Sequence, residues 1–240
     1  MEDKDLTIVI PAYNEEERIG QAINIIENYL SKERFKFEII VVNDGSYDLT
    51  SKVVEELSSK YKNIKLINNK VNSGKGYSVK CGMLVGDGQY VLFADADMST
   101  PISEIQNMLK FFEQGYDVVI GSRRIRGSKI KLYQPILRRF LGWLFHVVRR
   151  IFYLWEIKDT QCGFKCFKKE VIKPIFSKQT INGFVFDVEI LFIAKNLGYK
   201  IKEVPVVWTD NIKSTLNPFK HLKEVIKDLI RIKMNKVKNK

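Results

Sequence analysis

Short apolar runs alternate with longer periodic stretches through the first half of the chain. Leu6–Ile10 is an apolar run stopped by Pro11 and reads as a buried strand. Glu15–Leu30 has helical periodicity. Glu38–Val42 predicts a second strand, ended by Asn43-Asp44-Gly45-Ser46, and Leu49–Lys60 a second helix. Ile64–Ile67 predicts a third strand, and Gly74–Val85 a helix entered through a glycine turn. Tyr90–Ala94 predicts a fourth strand, followed at once by Asp95-Ala96-Asp97. Pro101–Gln114 is helical, and Asp117–Ile120 is a fifth strand. This alternation predicts an α/β fold with a mainly parallel central sheet and helices on both faces. Ligands of such sheets bind beyond the carboxyl ends of the strands. The polar clusters after strands one, two and four fall there. After residue 120 the alternation breaks, and the chain shows no internal repeat or low-complexity linker.

Composition narrows the class. At 240 residues, 45% hydrophobic and 28% charged, the chain can bury a core without staples and is not a disordered sequence. Three cysteines, Cys81, Cys162 and Cys166, make no disulfide framework, and two histidines, His146 and His221, argue against a Cys/His zinc site. The longest uncharged runs, such as Phe140–Val148, fall well short of the roughly 20 residues of a membrane-spanning helix. The amino terminus is acidic and leads directly into a strand, so no secretory signal is expected. The expected compartment is reducing and cytoplasmic.

The net charge of +12 is unevenly placed. Segment 123–158 holds ten Lys/Arg and one acid, and segment 213–240 holds nine Lys/Arg and two acids. The remainder is acidic. Leu132, Ile136, Leu137, Phe140, Leu141, Leu144, Val148, Ile151, Phe152 and Trp155 form a broad apolar stripe at helical spacing in the first segment. Leu222, Val225, Ile226, Leu229 and Ile230 do so in the second. Basic amphipathic helices with large aromatics suit the interface of an anionic membrane. For the second stripe, packing on the domain is an equal alternative. The expected organisation is a domain over 1–212, containing an interfacial segment over 123–158, and a basic amphipathic helix over 213–240. No nucleic-acid-binding signature is present, so no nucleic acid partner is expected.

Four clusters carry chemistry. Asp95-Ala96-Asp97 directly follows a buried strand, and if the chain turns there, both carboxylates can approach one divalent cation. Asn72-Ser73-Gly74-Lys75-Gly76 resembles a phosphate-binding turn without Walker A spacing. Asp159-Thr160-Gln161-Cys162-Gly163-Phe164-Lys165 is a polar, glycine-containing run in which Cys162 and Cys166 are expected one helical turn apart, as small buried thiols. Phe184–Ile193 carries Asp187 and Glu189 among apolar residues; they are either buried and partnered, or two exposed acids on a helix.

In this order, the clusters resemble the family 2 glycosyltransferases of the GT-A fold. The likeness runs through Ile8-Val9-Ile10-Pro11-Ala12-Tyr13-Asn14-Glu15-Glu16, Val42-Asn43-Asp44-Gly45-Ser46, Asn72–Gly76, Asp95-Ala96-Asp97 and Gly121-Ser122-Arg123. It continues through Asp159–Lys165 and Phe186-Asp187-Val188-Glu189-Ile190-Leu191, and covers residues 6 to about 210. The last two runs look like the members that glucosylate dolichyl phosphate more than those that mannosylate it. The resemblance implies a Rossmann-like GT-A sheet and a metal-dependent, inverting transfer of a hexose from a nucleotide diphosphate sugar to dolichyl or polyprenyl phosphate. UDP-glucose is the first expectation for the donor. UDP-N-acetylglucosamine, GDP-mannose, or a soluble transferase acting on a glycan are the alternatives; a binding module that has lost activity is the non-enzymatic one.

It also implies roles. Pro11, Ala12, Tyr13, Glu15 and Ala96 line the nucleotide pocket, and Asp44 reads base and ribose. Lys75 sits by the base or diphosphate. Asp95 and Asp97 hold the diphosphate through Mg²⁺ or Mn²⁺. Arg123 and Arg138 clamp the acceptor phosphate, Gln161 faces the donor, and Asp187 with Glu189 orients basic side chains or acts as a base. Two departures stand out: Ser99 replaces a glutamine common in mannose synthases, and the family's Gly-Ser-Lys-Leu reads Lys213-Ser214-Thr215-Leu216. The eukaryotic relatives' amino-terminal membrane anchor has no counterpart here, so the expected location is peripheral, on the cytoplasmic face of a membrane.

Overall fold

The computed structural model describes residues 4–130, 154–209 and 222–238. Within them, β1 (Leu6–Ala12), β2 (Phe37–Asn43), β3 (Ile64–Asn68), β4 (Tyr90–Ala94) and β5 (Val118–Ser122) alternate with α1 (Ile19–Lys32), α2 (Thr50–Lys60), α3 (Lys75–Val85) and α4 (Ile105–Glu113). A short β6 (Lys129–Ile130) follows. After it come β7 (Phe164–Lys168), α5 (Lys169–Phe176), α6 (Phe186–Asn196), β8 (Ile201–Pro205), β9 (Val207–Trp208) and α7 (Leu222–Lys238). The main sheet has the order β3-β2-β1-β4-β7-β5-β8, and β6 pairs with β9 in a second, two-stranded sheet.

Each central strand is buried on both faces, which is why the sequence shows continuous apolar runs. Alternation with period two divides them between two layers. Val9, Ile40, Val42, Val91, Phe93, Val118, Ile120 and Phe167 face α3, α5 and α6. Ile8, Ile10, Ile39, Val41, Leu92, Ala94 and Val119 face α1, α2 and α4. β1 runs two residues past the predicted end at Ile10, through Pro11 to Ala12. It pairs with β2 as far as Ala12 but with β4 only as far as Val9, so Pro11 lies beyond the ladder on one side, where a missing N–H is tolerated.

The sheet is mainly parallel, with one strand reversed. β7 runs antiparallel to both β4 and β5, with Ala94 opposite Phe164. Residues 159–163, which precede β7, therefore enter at the carboxyl ends of β4 and β5. Cys162 and Cys166 are not one helical turn apart: Cys166 lies within β7 and Cys162 in the turn before it, because Phe164–Lys168 is extended. Both are buried, and burial pushes their thiol pKa values up, that of Cys162 to about 11.

In α7, Val225, Leu229 and Ile232 pack against the layer containing α6, with Ile232 buried. The packed stripe differs from the expected one. Ile230 and Met234 are instead exposed beside Lys227 and Lys233. Most of the first basic stripe, and Arg138 with it, lies outside the described residues. No helix among the described residues is long and apolar enough to cross a membrane.

At the amino end of β2, Glu38 is fully buried and accepts from Lys4 Nζ at 2.6 Å, Thr7 Oγ1 at 2.8 Å and the Asp87 N–H at 2.8 Å, with Lys65 Nζ also at 2.8 Å. Burial alone would raise this carboxyl; the surrounding donors outweigh it and hold the pKa at about 2. Breaking such a group costs about 3 kcal/mol, so Glu38→Gln is expected to lower the urea-unfolding free energy by that order at neutral pH. The depressed folded pKa sets the sign. The contribution is present above the unfolded value of 4.5 and is lost as pH falls toward about 2, so the difference between the two proteins should shrink across that window.

Candidate active site

Two loops are stitched together at the carboxyl ends of β1 and β2. The Asn14 N–H donates to Ser46 Oγ at 2.9 Å, the Tyr47 N–H to Asn14 Oδ1 at 3.1 Å, and the Glu15 N–H to Thr50 Oγ1 at 2.8 Å. These bonds hold residues 15–18 in a turn, so α1 begins at Ile19 rather than at Glu15. Ala12 is buried and Pro11 half-buried beneath the loop, while Tyr13 is exposed and meets Tyr47 edge-on at 6.2 Å. The Glu15 carboxylate is forked by Arg18 at 2.7 and 2.8 Å. Burial pushes its pKa up, Arg18 opposes this, and Asp97 and Asp95 push the same way as burial. Glu15 therefore faces the acid pair.

Asp44 is buried, and its carboxylate holds the turn before α3. Oδ1 accepts from Asn69 Nδ2 at 2.9 Å and the Ser73 N–H at 3.0 Å, and Oδ2 from the Gly74 N–H at 2.8 Å. Gly74 has φ +100°, and a Cβ there would lie 2.5 Å from the Asn182 carbonyl oxygen. That carbonyl accepts from the Gly76 N–H at 2.7 Å and the Tyr77 N–H at 3.3 Å. The turn is thus not an open phosphate cradle, because its amides already have partners. What it presents is Lys75, whose Nζ lies 2.6 Å from Asp95 Oδ1. Burial would lower the Lys75 pKa; Asp95, then Asp187 and Asp97, raise it above its ordinary value.

Beyond β4 the chain does turn. The Met98 N–H donates to the Asp95 carbonyl at 3.1 Å, Met98 has φ 48°, and Asp97 Oδ1 accepts the Ser99 N–H at 2.9 Å. Ala96 between the acids is buried, while both acids are half-buried. Among the described residues no group of three His, Cys, Asp or Glu side chains gathers as a metal cage. Two carboxylates on one turn fit a hard cation that completes its shell with water and phosphate oxygens.

The reversed β7 brings its leading turn onto this pair. The Asp95 N–H donates to the Gly163 carbonyl at 3.2 Å. A Cβ on Gly163 would lie 2.0 Å from Asp95 Oδ2, so the turn passes over the carboxylate where no side chain fits. Gln161 Nε2 is buried without a hydrogen-bond partner among the described residues. A buried orphan donor is rare and marks a place where a ligand acceptor fits.

Arg123, at the end of β5, is forked on Asp159. Nε donates to Oδ2 at 2.7 Å, Nη2 to Oδ1 at 2.9 Å, and the Arg123 N–H to Oδ2 at 2.9 Å. Its guanidinium stands over Trp208 at 5.3 Å. The Lys158 and Asp159 N–H groups donate in turn to Glu203. Burial raises the Asp159 carboxyl, but Arg123 outweighs it and holds the pKa at about 2. Burial would lower the Arg123 pKa, but Asp159 keeps it above its ordinary value, with a smaller contribution from Asp95.

Asp187 and Glu189 are both buried at the start of α6, which settles against two exposed acids. Asp187 accepts from Lys165 Nζ, and Lys165 is itself fully buried. Glu189 accepts from the Thr180 N–H, Thr180 Oγ1 and the Ile181 N–H, and so fixes the loop that carries Asn182. Lys75, Asp95, Asp97, Glu15 and Asp187 thus share one electrostatic neighbourhood, with Arg123 at its border and Asp44 behind the α3 turn. The sequence reading assigned no role to Lys165, Asp159 or Gly163. A signal existed for the first: an acid in an apolar helical run needs a buried partner, and a lysine between two phenylalanines of a strand is a candidate. Gly163→Ala forces the Asp95 carboxylate to move. A misplacement of about 1 Å costs on the order of 100-fold in rate, so turnover of a nucleotide diphosphate sugar is expected to fall by at least that, with the far-ultraviolet circular dichroism unchanged.

Comparison with known proteins accords with this geometry. The profile of glycosyl transferase family 2 matches residues 7–176. A dolichyl-phosphate β-glucosyltransferase of Trichomonas vaginalis is 37% identical over 239 residues, spanning 95% of this chain and 72% of its own. One from Dictyostelium discoideum is 36% identical over 240 residues, spanning 95% and 73%. The crystal structure of glucosyl-3-phosphoglycerate synthase from Mycobacterium tuberculosis, in complex with Mn²⁺, UDP-glucose and phosphoglyceric acid, superposes with a TM-score of 0.72 at 16% identity, covering 95% of this chain and 79% of that one. At that identity the likeness speaks for the GT-A fold. The chain belongs to glycosyl transferase family 2.

Proposed function

We propose that the protein transfers a hexose, with inversion, from a nucleotide diphosphate sugar to dolichyl or polyprenyl phosphate. The observation that carries this reading is the meeting of Asp95, Asp97 and Lys75 at the end of β4, under the turn of residues 161–163, in which Gln161 Nε2 is buried without a partner among the described residues. Support for the acceptor comes from the relatives of 36–37% identity named for dolichyl-phosphate glucosylation. Glucose is the hexose that those names favour, and UDP-glucose is the donor in this proposal.

Breaking the anomeric C–O bond leaves negative charge on the diphosphate. Asp95 and Asp97 are the residues that would hold Mg²⁺ or Mn²⁺, which supplies Lewis-acid neutralisation of that charge when bound. Lys75 adds a fixed ammonium, already placed and partly shielded from water. Gln161 Nε2 supplies a hydrogen bond that no group among the described residues takes. On the acceptor side, a phosphate monoester has its second pKa near ~6. It is already anionic at neutral pH and needs no strong base. Asp187, buried against Lys165, is in keeping with that: its carboxylate is engaged by a cation rather than presented to a hydroxyl. Two nitrogens of Arg123 already bond Asp159, so a phosphate reaches that fork only by displacing the carboxylate. Arg138, outside the described residues, is the other clamp in this proposal.

The acceptor is held in a lipid phase, which gives α7 a use. One side packs on the domain, and the exposed side sets Ile230 and Met234 among Lys227, Arg231 and Lys233. Each basic residue near an anionic leaflet contributes about 1 kcal/mol. The expected result is flotation with phosphatidylserine vesicles at low salt, lost at high salt; no flotation at low salt would refute peripheral attachment.

Incubation with radiolabelled UDP-glucose, UDP-N-acetylglucosamine or GDP-mannose and dolichyl phosphate should move label into the organic phase from one donor. Chelation with EDTA should stop it, and Asp97→Asn should reduce it by about 100-fold or more. Label transferred only to a water-soluble sugar would instead establish a glycan-directed transferase.

A further inference from the structure

Lys165 is the only buried lysine among the described residues, and it is fully enclosed. β7 alternates with period two, so Lys165 lies on the same face as Phe167, in a layer built mainly of apolar side chains. Its ammonium donates to the Cys162 carbonyl at 2.6 Å and to Asp187 Oδ1, and it stands 5.2 Å from the centre of the Phe93 ring. A buried ion pair of this kind contributes little to stability, since apolar residues of similar size often replace it without loss. Its presence asks for another explanation.

Asp187 is buried as well. Burial pushes its carboxyl pKa up, and the ammonium groups of Lys165 and Lys75 pull against that. Lys75 in turn feels Asp95 and Asp187 as its main anions and bonds Asp95 at 2.6 Å. The heads of α3 and α6 abut, since a Cβ on Gly76 would lie 2.6 Å from Phe186 Cβ, which sets Lys75 near Asp187, so the charges alternate from the core to the site: Lys165, Asp187, Lys75, Asp95. The same lysine also grips the carbonyl of Cys162, which lies between Gln161 and Gly163 in the turn that covers Asp95.

We propose that Lys165 is a positioning residue for donor binding: through Asp187 it holds the Lys75 ammonium, and through the Cys162 carbonyl the Gln161–Gly163 turn, so that both meet the diphosphate of the donor. Neither Lys165 nor Asp187 touches the substrate. Without the pair, Lys75 has only the acids of the turn after β4, Asp95 and Asp97, as its anions and follows them, and the second phosphate loses its fixed cation. This inference rests on the donor being a nucleotide diphosphate sugar.

The readout is discrimination between UDP and UMP, measured by titration calorimetry in MgCl₂, because the second phosphate is the group that the chain positions cations to meet. Asp187→Asn and the charge-free double variant Lys165→Met/Asp187→Leu are each expected to cut the preference for UDP over UMP by about tenfold, with UMP affinity unchanged. Lys165→Met alone leaves a buried carboxylate without its partner and should melt early. The double variant should recover the melting temperature but not the preference, which a purely structural pair would restore together. Adding Lys165→Met/Asp187→Leu to Lys75→Met should reduce the preference by less than in the wild-type background, since the ammonium arm is already gone and only the hold on the Gln161–Gly163 turn remains to be lost. A double variant with the wild-type preference, or an equal loss of both nucleotides, overturns the proposal while leaving the donor reading intact. A wild-type protein with no preference for UDP over UMP, or for GDP over GMP, overturns both.

Discussion

β7 runs antiparallel between β4 and β5, and this reversal sets the start of one strand against the ends of two others. An all-parallel sheet would send residues 159–163 to the opposite edge, away from Asp95 and Arg123. The reversal also brings backbone onto a carboxylate, and only a residue without a Cβ can lie where Gly163 does. The proposed donor site, the Arg123–Asp159 fork and the placement of Lys165 all follow from that one strand direction.

Charge is arranged around the same edge in alternation. Carboxylates near one another repel and are costly to bury; ammonium groups set between them relieve the repulsion and offset part of the burial cost. Lys75 lies against Asp95 and Lys165 against Asp187, so an anionic neighbourhood is made compatible with an approaching diphosphate. Buried pairs of this type add little net stability but fix geometry, because breaking one partner from the other is expensive. That is the useful property in a site where positions must hold to a fraction of an ångström.

Support for these side chains comes from backbone groups that a sequence pattern does not display. The Asn182 carbonyl occupies the amides at the head of α3, and Glu189 fixes the loop that delivers Asn182. Asp44 holds the other side of the same turn. The result is a rigid platform for one lysine rather than a cradle of amides. α7 joins the same body: it contributes Ile232 to the layer beside α6 and leaves a mixed apolar and basic surface outward.

The apolar runs of β1, β2 and β4 and the periodicity of α1–α4 were readable because burial on both faces of a strand, and on one face of a helix, leaves a local imprint on residue order. The acids after β4 were readable for the same reason, since a polar pair directly after a buried strand has a fixed place at the sheet edge. Lys165 left only a faint imprint, a lysine within an apolar strand, and Asp159 none. Each is defined by a partner far along the chain, Asp187 and Arg123, and ion pairing depends on distance in space alone. The sequence by itself determined the α/β layering and which edge would carry the chemistry. Only the tertiary structure decided that β7 is reversed, that Arg123 is forked on a carboxylate, and that a buried lysine stands behind the site, because strand direction and long-range pairing come from how the layers close on one another, not from the order of neighbours.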